Sequence, residues 1–411
     1  MRNLEESLFW EILYRHEAVR SELTRLFDVS TATISRSAGI LLSKRLVIET
    51  GATIAYRGRR PNLLQINPQL AYVAGIEIDR DRITAVVTDM IGNLLGRGAV
   101  NASPQNSVAK TLRDCRGALR TALSDAGFPM AQLARIGVGH TGMLDVENGI
   151  CLNWEAVPHW RRVNLLEGLR ETFGKDVTLD DRARAIALAL HLLWPEHRRH
   201  RSAIYVQIGT GIGAGIFVEG RMLRGATQAG GEIGHMTIER DGPLCACGRR
   251  GCLEAFASAG ATLARVRKAL DAGENTSLRG MIGPSSVLTA EMIASAARQG
   301  DAVAKAALNE TGEALGIGIV NAVQLLNPSL VVLAGKFANA AREFLLDAVT
   351  RAIRRQCFEN VSRVLEIRVA PLRKDVGPVG CALLASIDVA AELLQRALFL
   401  PPPSRSEQNF Q

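Results

Sequence analysis

Residues 203–223 read AIYVQIGTGIGAGIFVEGRML, in which two runs of β-branched and aromatic residues enclose a series of glycines. Such runs favour strands, so we expect strands at 203–208 and 214–218, and a Glu219-Gly220 turn into a third at 221–223. A dinucleotide-binding glycine fingerprint requires a helix directly after the glycines. Because a strand follows here, the segment predicts a three-strand meander and excludes dinucleotide binding.

The same outline occurs earlier in the chain. Residues 73–78 and 83–88 resemble strands, and a Gly92-Asn93 turn leads to a third run at 94–100. Helical periodicity follows each meander, at 108–126, 165–173, 183–193, 258–272, 290–297, 302–326, 340–357 and 378–397. The repeat predicts an internally duplicated α/β protein. The glycine loop at 209–215 is then either a phosphate loop, as in actin-like ATPases and sugar kinases, or a tight β-turn that binds nothing.

The first seventy residues follow a different pattern. Helical spacing predicts helices at 4–14, 21–27 and 31–42, with Ser30 capping the third, and strands at 46–49 and 54–56 around Gly51. The order helix, helix, turn, helix, hairpin predicts a winged helix-turn-helix that binds DNA.

The third of these helices is the predicted recognition element. Its inward face is expected to carry apolar residues and its outward face short polar groups and a cation, which suit a DNA major groove. The inward residues are Ile34, Ile40 and Leu41, and the outward residues are Thr31, Thr33, Ser35, Arg36 and Ser37. Arg57, Arg59 and Arg60 follow the hairpin and suit an arm that enters a narrow minor groove. A solvated helix face and a basic linker are the alternatives.

Four soft-metal ligands lie within eighteen positions: His235, Cys245, Cys247 and Cys252. Gly248 and Gly251 free the backbone to wrap around an ion, so the segment predicts a closed, tetrahedral structural zinc site with one ion per chain. The alternative is three buried cysteines and an unrelated histidine.

Composition sets broad limits. A chain of 411 residues exceeds one core and predicts two or three domains. The net charge of +8 permits a polyanionic partner without requiring one. No uninterrupted apolar run approaches a membrane span, and the N-terminus lacks the order of a signal peptide, so we expect a cytoplasmic protein without a membrane partner. Seven cysteines, three of them clustered, suit metal binding in a reducing compartment.

Taken together, these motifs resemble the ROK family (repressor, open reading frame, kinase) over nearly all of residues 5–395. Within the family the chain is similar to the winged-helix regulators of the N-acetylglucosamine and xylose repressor type. The most specific match is GGEIGH at 230–235 followed by CACGRRGCLE at 245–254. GRRP at 58–61 with Leu63-Leu64 matches the regulators' linker, and Asn321 with LNP at 326–328 matches a segment ahead of the adenosine-side strand. GVGHTG at 137–142 matches a glycine-rich loop beside the sugar cleft.

The resemblance implies a set of site residues. Zinc folds its loop against the sugar cleft, and His235 binds the metal through one nitrogen and reaches the sugar with the other. Glu232 and Glu254 match carboxylates that accept hydrogen bonds from sugar hydroxyls. Asp180 matches the family's catalytic aspartate, with Asp181 as the register alternative; a helix N-cap is the structural alternative for either.

The chain departs from the family's kinases where they hold phosphate. The kinase motif Asp-x-Gly-Gly-Thr is replaced by EIDRD at 77–81, and the adenosine-side glycine pair by Ala334-Gly335. Leu179 and Ala156 replace asparagines of the kinases. These departures predict a regulator without kinase activity, in which Asp180 is vestigial.

We therefore expect an α/β protein in which an N-terminal winged helix-turn-helix joins a duplicated, actin-like (ribonuclease H-like), two-lobed sugar kinase-type domain. The expected segments are 1–68 for the DNA-binding domain, 69–180 and 181–385 for the lobes, 386–400 for a helix packed on the first lobe, and 401–411 for a disordered tail. The predicted function is a DNA-binding repressor, dimeric or tetrameric, that binds operator DNA and a sugar or sugar phosphate. The alternatives are an ATP-dependent sugar kinase with an appended DNA-binding domain, and a regulator that answers to a protein partner.

Overall fold

The computed structural model describes residues 3–51, 62–154, 157, 159–282 and 287–399. Its contacts divide the chain into two compact units. Unit 1 contains residues 1–140, 165–180 and 378–411, and unit 2 contains residues 141–164 and 181–377. The expected linear division differs from these units in two places: residues 141–164 fall in unit 2, and the last boundary lies after residue 377 and not after 385. The expected tail at 401–411 lies outside the described residues.

Unit 1 begins with a small head of three helices and three strands. Its elements are α1 (Leu4–Arg15), β1 (Glu17–Val19), α2 (Arg20–Phe27), α3 (Thr31–Ser43), β2 (Val47–Gly51) and β3 (Asn62–Ile66). The three strands form an antiparallel sheet in the order β1-β3-β2. Leu8, Leu23 and Ile34 are completely buried, so each helix contributes to one core. Ser30 accepts a hydrogen bond from the Thr33 amide, which confirms it as the cap of α3.

The hairpin of the head differs from the prediction. Pairing of β2 with β3 continues through Gly51, which lies opposite Asn62, so Gly51 belongs to the first strand of the hairpin and does not separate its two strands as expected. The glycine is a strand end and not a turn residue. The predicted strand at 54–56 lies outside the described residues, and residues 63–64, expected in a linker, belong to β3.

The rest of unit 1 is built on the first meander, which is confirmed. The next elements are β4 (Tyr72–Ile78), β5 (Arg82–Asp89), β6 (Leu94–Asn101), α4 (Val108–Ala126), β7 (Leu133–His140), β8 (Met143–Asp145), β9 (Ile150–Asn153), β10 (Arg161–Asn164), α5 (Leu165–Phe173) and β11 (Val177–Asp181). One five-stranded sheet has the order β11-β7-β4-β5-β6, with β4 and β7 parallel and the meander antiparallel. The short strands β8, β9 and β10 form a separate sheet that belongs to unit 2.

Unit 2 repeats the plan with the second meander, which is also confirmed. Its elements, and the last helix of the chain, are α6 (Arg182–Leu193), α7 (Pro195–Arg198), β12 (Ala203–Ile208), β13 (Ile212–Val218), β14 (Arg221–Met222), α8 (Leu253–Ala257), α9 (Ala259–Asp271), α10 (Leu278–Met281), α11 (Ala290–Arg298), α12 (Ala302–Leu326), β15 (Leu330–Ala334), α13 (Lys336–Ala340), α14 (Arg342–Gln356), α15 (Glu359–Ser362), β16 (Glu366–Val369) and α16 (Val376–Phe399). The sheet order is β14-β13-β12-β15-β16, with β12, β15 and β16 parallel. Strand β12 and helix α12 contribute completely buried residues to one apolar core.

Helix α16 packs against the sheet of unit 1. A Cβ added to Gly137 in β7 would lie 1.8 Å from the Cys381 carbonyl oxygen, so only glycine permits this approach. By length and composition, residues 376–398 could cross a membrane, but 67% of the apolar window is buried within the protein. The segment is therefore a core helix of unit 1.

The glycine-rich stretch at 137–142 differs from its predicted role as a loop. Residues 137–140 are the end of β7, and His140 is completely buried there. Burial lowers the pKa of His140 to about 3, so this ring is neutral at physiological pH.

Candidate functional site

The four predicted metal ligands converge on one point. The Cys245 Sγ lies 3.7 Å from His235 Nδ1, and the Cys247 Sγ lies 3.7 Å from the Cys252 Sγ. All four ligand atoms lie within 4.8 Å of one another. A zinc ion with Zn–S bonds of about 2.3 Å in a tetrahedron would place two sulfurs about 3.8 Å apart. The cluster therefore has the dimensions of a tetrahedral zinc site.

The thiols need a cation to ionise together. Burial raises the pKa of Cys245 to about 12, and burial also raises the pKa of Cys252. Burial alone would raise the pKa of Cys247 as well, but hydrogen bonds from Arg249 and the neighbouring thiols lower it to about 6. A bound Zn²⁺ deprotonates its thiol ligands. Its positive charge would therefore offset the rise that burial causes in the pKa values of Cys245 and Cys252.

Backbone hydrogen bonds and a glycine close the loop of residues 235–252, which carries the four candidate metal ligands. The Cys245 amide donates to the Arg249 carbonyl at 2.7 Å, and the Ile238 amide donates to the Gly251 carbonyl at 2.8 Å. Gly251 has φ of +73°, and a Cβ there would lie 1.6 Å from the Glu239 carbonyl oxygen. The loop therefore requires glycine at this position, as its sequence predicts.

The predicted sugar ligands of unit 2 gather around the start of β13. The Ile212 amide donates to Glu254 Oε2 at 2.7 Å, and the Ala214 amide donates to the Gly231 carbonyl at 2.9 Å, next to Glu232. Between them, Gly213 lies beside the carboxylate of Asp181. The start of this strand is thus bonded to the carboxylate of Glu254 and to the backbone of the segment that carries Glu232.

The two glutamates affect each other electrostatically. Burial raises the pKa of Glu254, and the charge of Glu232 raises it further. Burial also raises the pKa of Glu232, although the Arg184 guanidinium opposes this shift. Glu232 is an exposed residue, whereas Glu254 is half-buried. Carboxylates with accessible oxygens are suitable acceptors for the hydroxyl groups of a sugar.

His235 connects the metal cluster with this carboxylate group. It ends a short 3-10 turn, Ile233–His235, that begins directly after Glu232, and its amide donates to the Glu232 carbonyl at 3.1 Å. Because Nδ1 faces Cys245, the metal would take this nitrogen and leave Nε2 for another partner.

The structure separates the two aspartates that the sequence left as alternatives. Asp180 is completely buried at the end of β11, so in this conformation it is not accessible to a ligand. Asp181 is half-buried, and its Oδ1 accepts hydrogen bonds from the amides of Ala183 and Arg184 as the N-cap of α6. Of the two carboxylates Asp181 is therefore the more exposed, and the role of Asp180 stays a prediction.

Internal hydrogen bonds hold the glycine loop and the turn between β4 and β5. In the glycine loop, the Gly209 amide donates to the Gly211 carbonyl at 2.9 Å, and the Ile212 amide donates to Glu254. In the corresponding turn of unit 1, the Asp79 amide donates to the Arg82 carbonyl at 3.0 Å. The glycine loop is thus a tight turn, and phosphate binding by its remaining amides stays a prediction.

The head places its predicted DNA contacts on two faces. Thr31, Ser35 and Arg36 are exposed on α3. Thr33 is half-buried, and its hydroxyl lies 2.9 Å from that of Ser30. Ser37 was expected on the exposed face, but it is buried and donates to Glu5 at 2.7 Å, so that expectation is wrong. Arg57, Arg59 and Arg60 lie outside the described residues, as does Ala156.

One functional candidate was missed by the sequence analysis. Arg184 lies on α6 with 2% of its surface exposed, and its guanidinium donates to the Gly230 carbonyl at 3.0 Å. An arginine in a helix ordinarily indicates a solvated face, so no sequence signal pointed to it.

Comparisons with known proteins agree with this arrangement. The profile described as the ROK family matches residues 73–387. A xylose repressor from Caldicellulosiruptor bescii is 29% identical over 372 residues, which cover 90% of this chain and 92% of the repressor.

Two solved structures share the fold. One, described as a ROK family transcriptional regulator and homolog of the E. coli MLC protein, has 25% identity and a TM-score of 0.72, and the match covers 92% of this chain and 94% of that one. A ROK family glucokinase from Streptomyces griseus, solved with glucose and AMPPNP, has 27% identity and a TM-score of 0.65, and the match covers 77% of this chain and 99% of the kinase. The chain belongs to the ROK family.

Proposed function

We propose that this protein is a DNA-binding transcriptional regulator, a repressor, whose ROK domain binds a sugar or sugar derivative and carries one structural zinc ion. The observation that supports DNA binding best is the division of α3. Ile34 and Leu41 are completely buried in the head, while Thr31, Ser35 and Arg36 are exposed on the helix. A helix held this way can enter a major groove without losing its packing.

The head is best interpreted as a winged helix-turn-helix. Helices α2 and α3 are joined by a short turn at Asp28, which has a left-handed conformation, and the antiparallel sheet follows α3. Arg57, Arg59 and Arg60 then lie in the segment between β2 and β3, where a wing would reach the minor groove. Two heads of a dimer, or of a dimer within a tetramer, would bind half-sites about one helical turn apart.

The carboxylates around β13 support a sugar as effector. Glu232 and Glu254 offer acceptors for hydroxyl groups, with Asp181 and the Nε2 of His235 as further partners. A sugar changes DNA affinity only to the extent that it binds the DNA-competent and incompetent states unequally. Similarity to a xylose repressor over 90% of this chain, and to a ROK family transcriptional regulator over 92% of it, supports this function and a cytoplasmic location.

Binding to the DNA upstream of the protein's own gene tests the proposal. Fluorescence anisotropy between 50 and 200 mM salt should show saturable binding, with affinity falling steeply as salt rises. Arg36→Ala should weaken binding about 5- to 150-fold, which corresponds to about 1–3 kcal/mol for a base contact. Arg355→Ala, which removes an exposed arginine from α14 of unit 2, is the matched control. Equal affinity of the wild type and R36A for this DNA would contradict the assignment of α3.

A kinase with an appended head is the second candidate. The glucokinase match and the position of Asp181 at a helix N-terminus favour it. The absence of glycine between Asp79 and Arg82 opposes it, since side chains at this turn restrict the approach of a triphosphate. We propose that the protein has no kinase activity.

A further inference from the structure

A buried arginine stands beside the proposed sugar site. Arg184 lies in α6, which is otherwise composed of alanine, leucine and isoleucine from residue 185 to 190, and only 2% of its surface is exposed. Removing a guanidinium from water costs several kcal/mol unless an opposite charge and hydrogen-bond acceptors replace the water. The burial of Arg184 therefore has to be offset by hydrogen-bond acceptors and by an opposite charge.

The described partners of Arg184 all belong to the ligand site. Its Nη1 donates to the Gly230 carbonyl at 3.0 Å, and its positive charge acts on the carboxylate of Glu232. Its own amide donates to the Asp181 carboxylate at 3.2 Å. One residue of α6 thus contacts the segment that carries Glu232 and also the aspartate that caps the helix.

Backbone hydrogen bonds also hold the segment that Arg184 contacts, among them those from the Ile233 amide to the Gly231 carbonyl and from the His235 amide to the Glu232 carbonyl. The Gly230 amide donates to Arg224, and the Gly231 carbonyl accepts from Ala214. Gly231 has φ of +103°, so the backbone turns sharply immediately before Glu232. The hydrogen bond from Arg184 holds the Gly230 carbonyl directly before this turn, and it therefore restricts the position of Glu232, which follows the turn.

We propose that Arg184 is a positioning residue of the ligand site, which holds the Gly230–Glu232 segment against α6 and balances the charge of Glu232 beside Glu254. This inference rests on the proposed function of Glu232 and Glu254 as ligand carboxylates. Two neighbouring carboxylates repel each other, so a buried cation behind one of them keeps both in place while their outer oxygens stay available to hydroxyl groups.

A double-mutant cycle in the ligand-free protein tests the contact itself. Arg184→Gln keeps a donor for Gly230 but removes the charge, and Glu232→Gln removes the opposite charge. Urea unfolding at pH 7.5 of R184Q, E232Q and the double variant should give a coupling of about tenfold in the unfolding constant, equivalent to about 1.4 kcal/mol. The same cycle with Arg184→Lys should be close to additive, because lysine keeps the positive charge that acts on Glu232.

A second arginine of unit 2 provides the control. Arg265 is half-buried and donates to the Thr311 hydroxyl and the Phe256 carbonyl, with Glu310 as its ion-pair partner. Arg265→Gln combined with E232Q should be additive. Additive effects of R184Q and E232Q as well would overturn the proposal. If R184Q does not fold, E232Q alone decides: it leaves the buried guanidinium without its opposite charge and should lower the stability, and an unchanged stability of E232Q would also overturn the proposal.

Titration with sugars distinguishes a failure of this inference from a failure of the proposed function. Calorimetry with glucose, xylose and N-acetylglucosamine should show binding to the wild type that weakens about tenfold in R184Q and recovers in R184K. If the wild type bound none of these sugars, the proposed sugar effector would be contradicted, whereas the unfolding cycle would still test the role of Arg184. Unchanged sugar affinity in R184Q would overturn the positioning role.

Discussion

Replacing Cys252 by serine should remove the metal and loosen unit 2. Cys252 is completely buried, and its sulfur lies 3.7 Å from that of Cys247, so the hydroxyl would leave a three-ligand site. Structural zinc stabilises only the folded state, by about 2.7 kcal/mol when free zinc is 100 times the dissociation constant. For a unit that consists of residues 141–164 and 181–377, about 220 residues, each kcal/mol shifts the melting temperature by about 2–4 °C. The expected decrease is therefore about 5–11 °C.

The measurements for this prediction are metal content and thermal unfolding on the same sample. The wild type should retain about one zinc ion per chain after gel filtration, and C252S should retain almost none. Cys357→Ser, at a half-buried cysteine outside the cluster, is the control and should keep both zinc and melting temperature. A wild type without zinc, or a C252S variant with full zinc content, would refute the interpretation of the cluster.

Three further predictions concern the core, the acid sensitivity and the absent kinase activity. Ile34→Ala creates a cavity behind α3 and should destabilise the head by about 2–5 kcal/mol, abolishing DNA binding in anisotropy while zinc content stays constant. Burial lowers the pKa of His191 to about 3, so the stability that its neutral ring contributes is complete above about pH 6.5 and is lost as the pH falls toward 3. His191→Phe should therefore reduce the pH dependence of the unfolding free energy by about 1.4 kcal/mol per pH unit between pH 6 and 4. An unchanged slope would contradict burial of a neutral ring. A coupled ADP-release assay over a sugar panel should detect no turnover; turnover that Asp180→Asn or Asp181→Asn removes would establish the kinase alternative.

Much of the fold could be predicted because its elements are long and periodic. The helices at 108–126, 165–173 and 302–326 have the predicted bounds, and both meanders were found from strand runs separated by turns. Short elements were missed for a physical reason. Strands β1 and β8 have three residues each, too few for an alternation pattern, and the partner of β1 in its sheet, β3, comes from a distant part of the chain.

The site was predictable where residue chemistry restricts the function and less so where packing decides. Three cysteines and a histidine have few joint uses other than metal binding, so the cluster was found from spacing alone. Neither the burial of Asp180 nor that of Arg184 is encoded in local sequence, since β11 and α6 bury them through tertiary contacts. The two adjacent aspartates could therefore not be separated before the strand end and helix cap were known.

The segment that carries the four candidate metal ligands, residues 235–252, lies between the two proposed sugar carboxylates, Glu232 and Glu254. Glu232 directly precedes the turn that ends in His235, and Cys252 caps α8, in which Glu254 follows two residues later. The two glutamates thus lie at the two ends of the segment that the metal ligands close, and Glu254 is bound in turn to the start of β13. Because a metal ion fixes the separation of His235 and Cys252, it also limits the positions of both carboxylates. Structural zinc would therefore act on sugar binding without touching the sugar, while the head proposed to bind DNA, which belongs to unit 1, draws its core from other residues.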